Sequence, residues 1–388
     1  MTLKVKTNPA ITQRKAINSS SSVWVSASAG TGKTKVLTDR VLALLLDGTA
    51  AHRILCLTFT RAAAAEMANR INQALAIWAE SSDQELFVKI FALTGEKPNK
   101  KALSRARCLF SEVLDIPGGM KIQTLHAFCE SLLSRFPLEA GLSPHFSVMD
   151  ELEASDVLKE ARTKLVMRAR YEKDGLLTSA LAQVTGYLNE IEFNEILVEI
   201  CTIRGQLRYL FKEFKGVEHL VSAVFALLGV EQNEKTSSIW LAGVEKEAFD
   251  ANGLNEAANK MLGGSKTDQK NGKYILDWIR CSQKKRVQTI DDYLEVFFTK
   301  SGEKRARFVH KDVIEQNSKI PEILDREGKR LEGILEKIRT LVTAKSTSSL
   351  LILAKTLLEI YELCKRERGR LDYDDLILGA RDLLEKEG

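Results

Sequence analysis

The sequence contains no purely apolar run near the ~20 residues that a bilayer span needs. Val41 to Leu46 is representative of its hydrophobic stretches. This argues against a polytopic membrane architecture, and no membrane partner is expected. Cysteine is sparse: Cys56, Cys108, Cys129, Cys201, Cys281 and Cys364, with no C-x-x-C pair. That excludes a disulfide scaffold. It points instead to reduced, buried thiols, with no cysteine metal site expected. Met1 to Ala10 carries lysines but no apolar h-region, so no secretory signal is expected and the expected location is cytoplasmic. Low-complexity segments and repeats of fixed period are lacking too. Nor does one sign of charge dominate: 57 Lys/Arg face 52 Asp/Glu, a net charge of +5. The excess sits in residues 1–150, where 18 basic residues meet 12 acidic ones. A bias this small permits a polyanionic partner without demanding one.

What is present suits a sizeable soluble core, with 388 residues and 44% hydrophobic content, enough for two or three domains. Val23-Trp24-Val25 reads as a short buried strand, followed by small residues from Ser26 to Gly32. Lys33 to Leu46 has helical spacing at Val36, Leu37, Val41, Leu44 and Leu45, and Asp47-Gly48 closes it. Ile54 to Phe59 reads as a second buried strand. Ala62 to Ala79 reads as a helix with Met67, Ile71, Leu75 and Trp78 on one stripe. Lys121 to Leu125 reads as a third strand, and His126 to Arg135 as its helix. Alternating buried strands and helices predict an α/β fold with a parallel sheet. After Asp150 the texture becomes long amphipathic helices. The expected division is residues 1–150 and a mostly α-helical part, 151–388.

Residues 27–34 read Ala27-Ser28-Ala29-Gly30-Thr31-Gly32-Lys33-Thr34. The phosphate-binding pattern is G-x-x-x-x-G-K-[ST], and here alanine stands at its first position. The chemistry requires small residues, so that backbone N–H groups turn inward around phosphate oxygens. The following helix adds its positive N-terminal dipole. Lys33 would reach the β- and γ-phosphates of ATP, and the Thr34 hydroxyl would ligate Mg²⁺.

In this form the loop resembles superfamily 1 DNA helicases of the UvrD/Rep type. Asn8-Pro9 with Gln13 is similar to that family's Q motif, and the resemblance implies an adenine contact for Gln13 and a nucleotide contact for Arg40. Thr58-Phe59-Thr60-Arg61, running into Ala62–Met67, resembles motif Ia. By itself it is a strand end with hydroxyls, an aromatic ring and a basic helix start, able to hold phosphates and stack a base. Core packing for Phe59 and a solvated charge for Arg61 are the bland alternatives. Gln123-Thr124-Leu125-His126-Ala127-Phe128 resembles the next motif and implies single-strand DNA contacts by Thr124 and His126. Taken alone, His126 reads as a helix cap or core histidine. The finer resemblance is to AddA-type helicase–nuclease subunits of double-strand-break repair, of the alphaproteobacterial branch. It is carried by Ile54–Thr58, Pro117-Gly118-Gly119 and Arg135–Leu142. It implies a RecA-like P-loop NTPase fold with a large helical inserted subdomain that ends near Leu371-Asp372-Tyr373-Asp374-Asp375-Leu376. It also implies ATP and Mg²⁺ as cofactors. The partners it implies are single-stranded DNA, duplex ends and a second helicase–nuclease subunit.

ATP hydrolysis further needs a carboxylate pair and γ-phosphate cations. The family's D-E-x-x-D strand does not occur before Gly388, and a chain cut short of it is expected to be inactive in unwinding by itself. Phe146–Glu151 ends in Asp-Glu, but Ser147 interrupts the apolar run that a central strand needs. Asp374-Asp375 read as a capping or solvated pair. Lys284-Lys285-Arg286, Lys304-Arg305-Ala306-Arg307 and Lys365–Arg370 read as solvated helix faces, with a duplex contact as the sharper alternative. Trp240 and Trp278 read as core. The alternative function is a non-enzymatic nucleotide- or DNA-binding remnant, or one half of a split helicase subunit.

Overall fold

The computed structural model describes residues 9–26, 28, 30, 32–171 and 175–386. Pro9 opens the first helix, where its missing N–H costs nothing. The order is then α1 (Pro9–Ile17), α2 (Lys33–Leu46), β1 (Leu55–Thr58), α3 (Arg61–Glu80), α4 (Asp83–Thr94), α5 (Lys100–Leu114), β2 (Lys121–Thr124), α6 (Leu125–Arg135) and β3 (Ser147–Val148). A long helical excursion follows: α7 (Glu151–Tyr171), α8 (Gly175–Thr185), α9 (Glu190–Thr202), α10 (Arg204–Glu213), α11 (Val217–Leu228), α12 (Thr236–Gly243), α13 (Ala251–Met261), α14 (Lys266–Arg280), α15 (Gln283–Gln288), α16 (Ile290–Phe297), α17 (Lys311–Gln316) and α18 (Ile320–Glu367). The chain then closes with β4 (Arg370–Leu371) and α19 (Tyr373–Lys386). It divides into two units, one within residues 1–150 and 369–388, the other Glu151–Arg368. Residues 369–388 thus return to the first unit, whereas the sequence pattern assigns them to the helical part. Leu376, Ala380 and Leu383 of α19 pack on Cys129 and Leu133 of α6, an apolar stripe that only the folded chain brings together.

In the first unit β1 and β2 pair in parallel, from Leu55↔Lys121 to Thr58↔Thr124. Cys56 and Ile122 face a core built from α2, α3, α4 and α5, with Ile71, Leu75, Leu86 and Leu109 fully enclosed. The stripe expected on α3 is buried as read, with Ala64 added. On α2, Leu37 falls on the exposed side. Three expectations need correction. The parallel sheet is small: among the described residues it comprises two separate pairs, β1–β2 and β3–β4. Its other face is bare, with Leu55 and Leu57 at 42% and 45% exposure, so β1 is not the doubly covered strand expected. Val23-Trp24-Val25 forms no ladder, and Trp24 is 93% exposed. β propensity is mostly the chance to pack on neighbours, and no described strand pairs with this one.

Ser147–Val148, inside the segment ending in Asp-Glu, is a crossing strand. The Ser147 N–H donates to the Gly369 carbonyl at 3.1 Å, and the Met149 N–H donates to the Leu371 carbonyl at 2.7 Å. Glu151 already belongs to α7. Asp372 and Asp375 form a capping box at the start of α19: each carboxylate accepts the other's backbone N–H, at 2.9 and 3.1 Å.

The second unit is built along α18, a 48-residue helix with Leu331, Leu341, Leu353 and Leu357 fully buried. Among the described residues it is the one helix long and apolar enough to cross a membrane, by length and composition. Its buried leucines and isoleucines supply the unit's own cores. The Tyr293 ring stacks on Trp278, with centroids 3.9 Å apart. Its hydroxyl donates to Glu327 at 2.9 Å, and Arg330 grips the same carboxylate at 2.6 and 2.7 Å. Burial, followed by the Glu327 charge, pushes the Tyr293 phenol well above its usual range.

Part of each basic cluster is engaged in this unit. Buried Arg286 donates to the carbonyls of Val244, Trp278 and Ile279 at 2.8–3.2 Å, closing the end of α14. Lys304 pairs with Asp325 at 2.9 Å, Arg305 donates to the carbonyls of Glu295 and Phe298, Lys365 is buried and Arg368 pairs with Glu160. Trp278 is core as expected, and Trp240 packs half-buried against the same cluster. None of the six cysteines is in a disulfide. Cys129, Cys201 and Cys364 are buried, while Cys108 lies exposed on α5, contrary to expectation.

Candidate functional site

Two groups of residues meet in the first unit. At the start of α2, Gly30 and Gly32 hold φ of +79° and +84°. This left-handed backbone costs an L-residue roughly 1–2 kcal/mol. Among the described residues, a Cβ on Gly30 would meet nothing within 4 Å. Gly32 is the N-cap of α2 and brings no side-chain cap to the helix. The first-turn N–H groups therefore keep the partial positive charge that favours an anion. Lys33 and Thr34 are exposed beside them. Gln13 reaches this point from α1: its Nε2 lies 3.7 Å from where a Gly32 Cβ would stand. Four separately expected residues, Gln13, Gly32, Lys33 and Thr34, thus lie together. Ser28 is exposed. Asn8, Ala27, Ala29 and Thr31 lie outside the described residues.

Arg40 does not join this group. Its guanidinium donates to the carbonyls of Ala16, Asn18 and Ser21 at 3.0, 2.6 and 2.7 Å. It ties α2 to the turn after α1. At the preceding position, burial raises the Asp39 carboxyl above its usual range, against the pull of Lys35 one turn earlier.

The second group sits at the C-terminal ends of β1 and β2, where Thr58 and Thr124 are register partners. Parallel strands bring both motifs to one edge, the end where open α/β sheets place ligands. The Thr58 hydroxyl donates to the Thr60 carbonyl and accepts its N–H, both at 3.1 Å. Thr60 caps α3, accepting the Ala63 N–H at 3.1 Å, and Thr124 caps α6, accepting the Ala127 N–H at 3.2 Å. The three threonines therefore shape the two turns first. Each capping hydroxyl still has its O–H to donate. Between them Phe59 is 88% exposed, so core packing is excluded for it, and Arg61 is exposed at the first turn of α3. The His126 ring lies 5.2 Å from the ring of Tyr373, edge to face. Tyr373 is 44% exposed. It carries no local signal of this role, because only the return of the chain to the first unit sets it beside α6.

The chain matches the family model described as UvrD/REP helicase N-terminal domain over residues 10–388. It is similar to the A-subunits of ATP-dependent helicase/nucleases. The identity is 36% over 42% of this chain in Pediococcus pentosaceus, 38% over 38% in Lactobacillus johnsonii and 32% over 47% in Desulforamulus reducens. The aligned part spans 12%, 10% and 13% of those three proteins. With a glycine-opened helix, a glutamine beside it, and two threonine-capped turns at one sheet edge inside that match, the chain belongs to the UvrD/REP helicase N-terminal domain family.

Proposed function

We propose that this chain forms the ATP- and single-strand-DNA-binding first part of a DNA motor that resembles the A-type helicase/nuclease subunits and acts on broken DNA. The observation that carries the reading is the pair of left-handed glycines opening α2 with Gln13 alongside. Gln13 would orient the base, the α2 N-terminus and Lys33 would hold the phosphates, and Thr34 would hold Mg²⁺. Bound Mg²⁺ would neutralise charge on the β- and γ-oxygens. Phe59 and Tyr373 would offer rings to unstacked bases, while Arg61 and the capping threonines would hold the phosphodiester.

Unwinding by these residues alone is not expected. The bare face of β1, and the small share of each relative that aligns, support a motor completed by further strands and a second domain. The relatives are named as one subunit of a helicase/nuclease, which supports a second protein chain as partner.

The test is titration of the 388-residue chain with ATP–Mg²⁺ and with a single-stranded oligonucleotide. Lys33→Ala should weaken nucleotide binding at least ~10-fold, losing a charge-assisted phosphate contact. Phe59→Ala should weaken oligonucleotide binding by about 5- to 100-fold, the range for one lost stacking contact. Unchanged nucleotide affinity in Lys33→Ala overturns the loop assignment. Robust DNA-stimulated hydrolysis by this chain overturns its dependence on further parts.

A further inference from the structure

The second unit holds a thiol, an amine and a carboxylate within mutual reach, and neither the nucleotide reading nor the DNA reading uses them. Cys364 lies in the last turn of α18 and is 1% exposed. Its Sγ accepts from the Nζ of Lys164 on α7 at 3.3 Å and faces the Oε1 of Glu160 at 3.9 Å. Lys164 also donates to that Glu160 oxygen at 3.0 Å. The other Glu160 oxygen accepts from Arg368, and Glu367 stands 3.7 Å from the Lys164 ammonium. Cys364 and Lys164 are 200 positions apart in the chain. Only the packing of α7 against the end of α18 makes them neighbours.

Each member has a chemical part. An ammonium beside a sulfur favours the thiolate, which is the form that attacks an oxidant. Glu160 is ionised and can only accept, so it can take the thiol proton. Hydrogen bonds to Glu160 and then to Cys364 raise the Lys164 ammonium above its usual range, which keeps a proton donor at the sulfur. The Glu160, Lys164 and Arg368 side chains are 33%, 42% and 46% exposed, so the group has a wet side. Helix ends also open more readily than helix centres, which gives a small oxidant its route to Cys364.

We propose that Cys364 and Lys164 form a redox modification site, at which a peroxide joins them through a sulfur–nitrogen bond and so staples α7 to α18. The thiol proton passes to Glu160 and on to solvent. The sulfur attacks one oxygen of hydrogen peroxide, the O–O bond breaks, and sulfur is oxidised to a sulfenic acid while the peroxide is reduced. The departing hydroxide takes a proton from the Lys164 ammonium and leaves as water. The amine so freed attacks the sulfur, the S–O bond breaks, and the second hydroxide leaves as water with a proton from the nitrogen. The product is a sulfenamide, the bond that sulfenic acids make with a nearby nitrogen. An added thiol attacks its sulfur and returns the amine, so the staple is reversible. The site stands apart from the nucleotide loop and from the Phe59 edge.

The experiment treats the folded full-length chain with hydrogen peroxide, digests it without reductant and weighs the peptides. The expected product is a joined pair containing Lys164 and Cys364, lighter than the two separate peptides by one hydrogen from each. Dithiothreitol should split it, and oxidation in urea should not form it. Exposed Cys108 is the internal control for reaction with peroxide. Lys164→Arg keeps the positive charge and removes the amine, so in that variant Cys364 should run on to sulfinic acid. Peroxide should also raise the urea midpoint of the wild-type second unit, because the bond closes a long loop in the unfolded chain. That rise should be absent in Lys164→Arg, each protein being compared with its own reduced form. The proposal is overturned if the folded wild type yields no joined pair while Cys108 is oxidised. It is equally overturned if Cys364 reaches sulfinic acid as readily in the wild type as in Lys164→Arg. Neither result touches the nucleotide-loop assignment, which is read from Lys33→Ala.

Discussion

Arg40 sits half-exposed on α2 and places its guanidinium against three backbone carbonyls. Hydrogen bonds from a charged donor contribute about 1.5–3 kcal/mol each when well placed, less where solvent competes. Arg40→Ala should therefore lower the stability of the first unit by about 2 kcal/mol, read as a shift in urea midpoint. Nucleotide affinity should fall less than in Lys33→Ala. An unmoved midpoint would show that the tether carries no weight. At this scale legibility depends on whether chemistry is local. The left-handed glycines and Lys33 are readable because the pattern they belong to fixes residue types at consecutive positions. Nothing in the sequence around Arg40 reveals the Ala16–Ser21 carbonyls that its guanidinium meets. Tyr373 is invisible because its partner His126 is hundreds of positions away.

Helices end where their punctuation says. α2 begins after Gly32 and ends before Asp47-Gly48, as read, and α3 and α6 begin within one residue of expectation, at threonine caps. Strands are less legible, because their partners decide them: Val23–Val25 has the composition of a strand and, among the described residues, no neighbour. Between helices, Glu160 of α7 holds Lys164 of its own helix at 3.0 Å and Arg368 just past α18. The hydrogen bond from Lys164, then that from Arg368, keep the Glu160 carboxyl below the usual carboxylate range. A depressed folded-state pKa means stability is present above the unfolded value and is lost as pH falls through the folded one. The urea midpoint of the second unit should therefore drop below about pH 4. Glu160→Gln should be less stable at neutral pH and show a shallower acid decline. An identical acid slope in the variant would remove Glu160 from the account.

On the scale of the whole chain, each unit has its own enclosed core, and each holds two tryptophans: Trp24 and Trp78 in the first, Trp240 and Trp278 in the second. Cores without shared residues respond independently to mutation. Tyr293→Ala removes the ring stacked on Trp278 and leaves Glu327 short of a donor, which should cost about 3–5 kcal/mol. In urea, followed by fluorescence, the transition carried by the second unit should move to lower denaturant while that of the first stays in place. A single transition that shifts as one would show the two cores to be coupled.

The crossing strands β3 and β4 carry a genealogical consequence. The chain leaves the first unit from the end of β3 and re-enters it through β4, the parallel partner of β3, so everything between is one excursion from a single pair of strands. Closing a longer excursion costs only a little more entropy than closing a short one. Descendants can then lengthen, trim or exchange everything between those two strands by recombination at two points in the gene, while the first unit keeps its shape.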